Sequence, residues 1–145
     1  MRVLLQRVTH AEVEVNGRIV GAIGPGVLLL VGVARGDDPA VADRLAAKVW
    51  HLRVFADAEG AMNRSLADTS RAALVVSQFT LYGDTRRGRR PSWVAAAAPD
   101  EASALVDRFV AALQALGADV ATGRFGAHML VRLENDGPVT LILEL

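Results

Sequence analysis

Residues 11–33 admit little other than consecutive β-strands. Ala11–Val15 alternates as Ala, Glu, Val, Glu, Val, the two-residue period of a half-buried strand. Asn16-Gly17 follows, a pair in which both residues tolerate the positive φ that a two-residue hairpin turn demands. Arg18–Ile23 then reads as the return strand and Gly24-Pro25-Gly26 as a second turn. Val27–Val33 is a continuous apolar run, as expected of a strand covered on both faces. Gly32 interrupts that run, which is in any case far shorter than the roughly 18 residues of a membrane span. Arg2–Thr9 is β-compatible and lacks the long apolar stretch and small-residue cleavage site of a secretion signal.

Helical periodicity begins only after this block. Asp38-Pro39 is a helix start, with Asp38 as N-cap and Pro39 at the first helical position. Val41, Leu45, Val49 and Leu52 then recur on one face. Arg53–Ala56 reads as a short strand, Asp57–Ser70 as mostly loop, and Ala73–Val76 as a second buried strand. A second helix starts at Pro99-Asp100, with Ala102, Leu105, Val106, Phe109, Val110 and Leu113 as its apolar face and Gly117 as its stop. Asp119–Thr122, Met129–Leu133 and Val139–Leu143 complete the strands. No repeat or composition break divides the 145 residues, so the expectation is one α+β domain over 1–145, mostly antiparallel and barrel-like, with two main helices.

Composition narrows the classes. At 52% hydrophobic the chain has enough apolar surface for a real core. It has no cysteine, which excludes disulfides and thiolate metal sites and suits a reducing cytoplasm, the expected location. Lys plus Arg and Asp plus Glu balance at 16 each, against a globally basic nucleic-acid binder, and no DNA or membrane partner is expected. His10, His51 and His128 are the only histidines, none in a nucleophile elbow, and no His/Asp/Glu spacing suits a metal, so neither metal nor cofactor is expected.

Three features stand out from this background. Arg86, Arg87, Arg89 and Arg90 concentrate charge in one loop; they are either a phosphate- or RNA-binding cluster or a solvated face with acidic neighbours. Ser77-Gln78-Phe79-Thr80 places two hydroxyls and an amide where a buried strand ends. Backbone N–H groups there can hold an oxyanion and Thr80 can attack or orient water, unless the segment merely caps its own strand. Gly24-Pro25 and Gly137-Pro138 are each compatible with an ordinary turn, and the sequence by itself assigns a cis bond to neither.

Taken together, Gln6-Arg7-Val8, Leu52-Arg53-Val54-Phe55, Met62-Asn63-Arg64-Ser65, Val76–Leu81, Gly88-Arg89-Arg90-Pro91, Gly123–Ala127 and Asn135-Asp136-Gly137-Pro138-Val139-Thr140 resemble the D-aminoacyl-tRNA deacylases. The Ser-Gln-Phe-Thr and Asn-Asp-Gly-Pro-Val-Thr segments are that family's two signatures. The resemblance implies hydrolysis of the ester joining a D-amino acid, or mischarged glycine, to the 3′ end of tRNA. It also implies a homodimer in which a cis Gly137-Pro138 reaches into the partner's pocket and excludes L-amino acids by steric clash. Ser77, Gln78, Phe79 and Thr80 are the implied catalytic segment, Gly137, Pro138 and Met129 the substrate contacts, and Arg86, Arg87, Arg89 and Arg90 the tRNA contacts. For Met129 a core position on a strand is the competing reading. Two chemical routes stay open: attack by Thr80, or attack by water assisted by the ribose 2′-OH, which the lack of a nearby histidine favours. Gly83 and Trp93 depart from the pattern, which has alanine and phenylalanine there. A non-catalytic RNA-binding module and a general Thr-dependent esterase are the alternatives.

Overall fold

The computed structural model describes residues 1–145. The β-rich start folds largely as read. Arg2–Val15 forms one 14-residue strand, β1, rather than two, and turns through Asn16 (φ 51°) and Gly17 (φ 76°) into β2, Arg18–Ile23. β3 is Gly26–Gly32 and α1 is Pro39–His51. The side chain of Asp38 accepts a hydrogen bond from the Val41 N–H, a cap worth about 1 kcal/mol. Ala42, Leu45, Ala46 and Val49 form the buried face of α1.

The short strand expected at Arg53–Ala56 is β4 (Phe55–Ala56), and it pairs in a small hairpin with β5 (Met62–Arg64), which lies in the stretch expected to be loop. β6 (Ala72–Ser77) leads into a 3-10 turn, Phe79–Tyr82. α2 is Pro99–Ala115, β7 is Val120–Thr122 and β8 is Leu130–Glu144.

The main sheet runs β2-β1-β3-β6-β7, with β8 on the other side of β1. β1 is antiparallel to β2, β3 and β8, as expected, but β3–β6 and β6–β7 are parallel. The connections explain the mixture. β3 reaches β6 through the segment carrying α1, and β6 reaches β7 through α2, the crossovers that parallel neighbours need. β2 comes round to β7 and nearly closes the sheet into a barrel. Gly21 permits that approach, because any Cβ there would collide with the Thr122 carbonyl.

Two apolar cores result. Val3 and Leu5 of β1, alternate residues of β3 and β6, and the buried faces of α1 and α2 form the larger. Val8, Ala11, Val13, Val15, Leu28, Leu74 and Val76 fill the barrel interior. Val8 and Ala11 share that interior although three residues apart, so an irregularity between them reverses which face the odd-numbered residues take.

The strands expected at Met129–Leu133 and Val139–Leu143, with a turn between them, are the two arms of β8. It is one strand with a large outward bulge: the step from Gln6 to Val8 on β1 is matched by the step from Thr140 to Asn135 on β8. Residues 136–139 therefore leave the ladder. The Asn135 side-chain amide donates to the Arg7 carbonyl at 2.8 Å and to the Val139 carbonyl at 3.2 Å, closing the bulge at its base. Gly137-Pro138, at its tip, is cis; Gly24-Pro25 is trans. Arg7 Nε lies 2.8 Å from Asp136 Oδ2 without hydrogen-bond alignment, while the Arg7 guanidinium donates to the Val54 carbonyl at 2.6 Å.

Candidate active site

The largest cleft, about 440 Å³, opens where β3 and β6 end. Val31, Val33, Ser77, Gln78 and Phe79 form its floor. Ala96–Pro99 with Ala102 and Val106 of α2 form one wall, and Trp93, Arg35, Phe125 and Gly126 complete the rim. The lining is mainly apolar with a few polar groups, which is the usual make-up of a small-ligand site. Ends of parallel strands are where such clefts form, because the chain turns away there and leaves backbone groups unpaired.

The turn after β6 supplies those groups. The Gln78 N–H still belongs to the sheet, donating to the Val31 carbonyl at 2.7 Å. The Leu81 N–H donates to the Gln78 carbonyl at 3.2 Å and the Gly83 N–H to the Thr80 carbonyl at 2.9 Å. The N–H groups of Phe79 and Thr80 between them have no acceptor in the chain. Two adjacent free donors beside an apolar cleft can stabilise a developing oxyanion. The Arg2 guanidinium holds the far end of the turn, donating to the Leu81 carbonyl at 2.5 Å and lying 4.8 Å from the Tyr82 ring centroid.

The candidate nucleophile has no base. The Thr80 hydroxyl is exposed and accepts a hydrogen bond from the Gln78 side-chain amide, its one side-chain hydrogen bond. Burial pushes the nearby Tyr82 phenol up to about 12, helped by the negative charge of Asp37, so it stays protonated at neutral pH. No three His, Cys, Asp or Glu side chains converge anywhere in the chain.

The sequence-derived residues divide in space. Ser77, Gln78 and Phe79 line the cleft, and Thr80 follows them, exposed, outside its lining. Met129 is absent from the lining. It packs partly buried on the barrel interior, where its sulfur accepts a 3.4 Å contact from the Arg124 N–H. Gly137 and Pro138 are also absent from the lining. Their bulge lies beside Val8, whereas Ser77 pairs with Val31 and Val31 with Val3, roughly 16 Å along β1 at about 3.3 Å per residue.

The arginines lie on a loop whose base is a two-way bridge between Asp84 and Ser92 at 2.8 and 2.9 Å. Asp84 grips Arg86 through both carboxylate oxygens, at 2.9 and 2.7 Å, and is held down at about pKa 2 by that pairing. Arg87, Arg89 and Arg90 make no ion pair or side-chain hydrogen bond. The solvated-face reading thus describes Arg86, and the other three stay open to a ligand.

Sequence reasoning singled out none of Arg35, Trp93, Ala96–Pro99, Ala102 or Phe125 as cleft residues. For Trp93 a signal existed: a large aromatic just beyond an arginine cluster. The ring of Trp93 meets Phe79 edge-on at 5.3 Å between centroids, and Gly83 lies against its outer edge. The two departures from the family pattern therefore touch each other.

Comparison with known proteins bears on the same residues. The D-Tyr-tRNA(Tyr) deacylase family profile matches residues 4–144. The D-aminoacyl-tRNA deacylase of Thermomicrobium roseum is 63% identical over 144 residues, covering 99% of this chain and 94% of that protein. The solved structure of the c-Myc DNA Unwinding Element Binding Protein superposes with a TM-score of 0.94 at 35% identity, covering 100% of this chain and 99% of that one. A probable eukaryotic D-amino acid tRNA deacylase shares the fold, with a TM-score of 0.82 at 22% identity over 99% and 98% of the two chains. A family profile that spans both the free-donor turn and the β8 bulge, and a relative this similar over nearly its full length, establish that the chain belongs to the D-Tyr-tRNA(Tyr) deacylase family.

Proposed function

We propose that this protein hydrolyses the ester bond between a D-amino acid and the 3′-terminal adenosine of tRNA, releasing both, in the cytoplasm. The observation that carries the reading is the pair of unaccepted N–H groups, Phe79 and Thr80, at the mouth of an apolar cleft in a chain of this family. Water attacks the ester carbonyl, the two N–H groups hold the oxyanion, and the ribose 2′-OH of the substrate assists the attack. Thr80 orients rather than attacks: its hydroxyl is engaged by Gln78 and no side-chain base touches it. Ser77 and Gln78 shape the floor of the pocket. Arg87, Arg89 and Arg90 take tRNA phosphates.

Chirality is read by the backbone of Gly137-Pro138 from a second subunit. Placed against the substrate's α-carbon, it leaves room for hydrogen and none for an L side chain, so D-amino acids and glycine pass. Two observations support a homodimer. The bulge is too far along the sheet to reach the cleft of its own chain. The outer edge of β8 pairs with nothing, and Leu130, Leu141 and Ile142 are exposed along that strand, a combination that soluble proteins cover.

Labelled D-Tyr-tRNA and L-Tyr-tRNA incubated with purified protein test the reading. D-Tyr-tRNA is deacylated and L-Tyr-tRNA stays intact; D-Tyr-tRNA that survives while L-Tyr-tRNA is bound or cleaved refutes it.

A further inference from the structure

The free-donor turn is packed from outside by a matched pair of residues. Trp93 and Phe79 are both exposed on the cleft, at 41% and 55%, and their rings meet edge-on at an interplanar angle of 71°. Gly83 closes the turn by donating to the Thr80 carbonyl. A Cβ on Gly83 would stand 2.6 Å from Cζ3 and 3.3 Å from Cε3 of Trp93, and 3.0 Å from the Thr80 carbonyl oxygen. Carbon atoms do not approach that closely, so the indole occupies the volume that a side chain at position 83 would need. Gly83 and Trp93 also flank Asp84 and Ser92, the bridged base of the arginine loop. The indole thus lies against the turn, next in sequence to the bridged base of the arginine loop.

We propose that Gly83 and Trp93 act together as a positioning pair: the indole, seated on the bare Gly83 backbone, fixes the Phe79–Thr80 turn so that its two N–H groups face the reacting carbonyl. Trp93 acts through Phe79 and does not take part in bond making. The role rests on the deacylase reading above. Loss of the seat moves the donors by a fraction of an ångström, and displacement on that scale slows chemistry more than it weakens binding.

Single-turnover deacylation of D-Tyr-tRNA is measured for wild type, Gly83→Ala, Trp93→Phe and the double variant, with the Phe79 and Thr80 amide resonances recorded for each. In Gly83→Ala the rate constant falls about tenfold, tRNA affinity stays within about twofold, and both amide resonances move. Trp93→Phe removes the outer ring edge and keeps the aromatic contact, so it costs less than about threefold. The double variant returns to the Trp93→Phe rate and restores the resonances, a strongly non-additive cycle. Additive losses, a Gly83→Ala rate equal to wild type, or a loss confined to affinity overturn the pairing. If Gly83→Ala does not fold alone, a folded and active double variant supports it and a folded but inactive one overturns it. A wild type inactive on D-Tyr-tRNA refutes the deacylase reading instead; the amide resonances then decide the pairing, which fails if Trp93→Phe does not reverse the Gly83→Ala shifts.

Discussion

The two signature segments stand apart on one sheet, on strands of opposite kind. Ser77–Thr80 ends β6, which lies between β3 and β7 and is buried along most of its length. Asn135–Thr140 interrupts β8, an edge strand whose outer side pairs with nothing. The first hangs from a buried strand, and the turn that follows carries the two free donors. The second projects from the ladder and does not line the 440 Å³ cleft of its own chain. A segment anchored to a buried central strand suits bond making; a segment at an edge suits presentation to another molecule. Under the proposed function chemistry belongs to the first and selection to the second, and both halves of that division can be broken.

The largest effect is expected in the substrate. If the ribose 2′-OH assists water, a tRNA ending in 2′-deoxyadenosine loses about 10²–10⁴-fold in deacylation rate, while Thr80→Ala loses about tenfold or less. The reverse ranking makes Thr80 the nucleophile and the β6 turn a site of covalent catalysis.

Next comes the edge strand. Leu141 and Ile142 are exposed, at 41% and 67%, so charges there cost the isolated fold little. Leu141→Asp/Ile142→Asp is expected to be monomeric by sedimentation, to melt near wild type, and to lose most activity on D-Tyr-tRNA. A monomer that keeps full activity and still rejects L-Tyr-tRNA ends the assignment of selection to a second subunit.

The bulge itself comes third. Asn135→Ala removes the two hydrogen bonds at its base, worth about 1 kcal/mol of stability each at most. The expected result is a D-over-L rate ratio lowered about tenfold through a looser filter, with the rate on D-Tyr-tRNA less affected. An unchanged ratio shows that the bulge does not read the α-carbon.

Sequence made the two regions unequally legible. The turn at Ser77–Thr80 was readable because an apolar run stops abruptly at polar residues, and β6 does end there. The parallel pairing of β3 and β6 was present in their continuous apolar runs, since strands covered on both faces do not alternate, but neighbouring hairpin signals favoured an antiparallel reading. β8 was less legible. Asn-Asp-Gly-Pro has the composition of a turn, and nothing local distinguishes a turn from a bulge whose two flanks pair with the same strand. The cleft walls were hidden for a third reason. Ala96–Pro99 and Phe125 are far apart in sequence and meet only because α2 crosses over the end of β6. Met129 shows the limit of motif reasoning: its place follows the barrel interior that the irregular strands create.

The smallest effects separate the arginines beside the β6 turn. Arg87, Arg89 and Arg90 are unpaired, so each changed to Ala is expected to lower the log–log salt slope of tRNA binding by about one if it meets a phosphate. Arg86→Ala is expected to change it by much less, because the carboxylate of Asp84 already neutralises that guanidinium. The pairing has a defined pH range. Asp84 is held at about pKa 2, below its ordinary value of 3.8, first by the Arg86 side chain and then by the Arg86 backbone N–H. A carboxylate so depressed keeps its partner above the ordinary value and loses it only as pH falls through about 2. The contrast between Arg86 and its three neighbours therefore stays constant from pH 8 to about 4, measured as salt slopes at each pH. A contrast that fades already near pH 6 means that Asp84 does not hold Arg86 in solution, and all four arginines then belong to the tRNA surface.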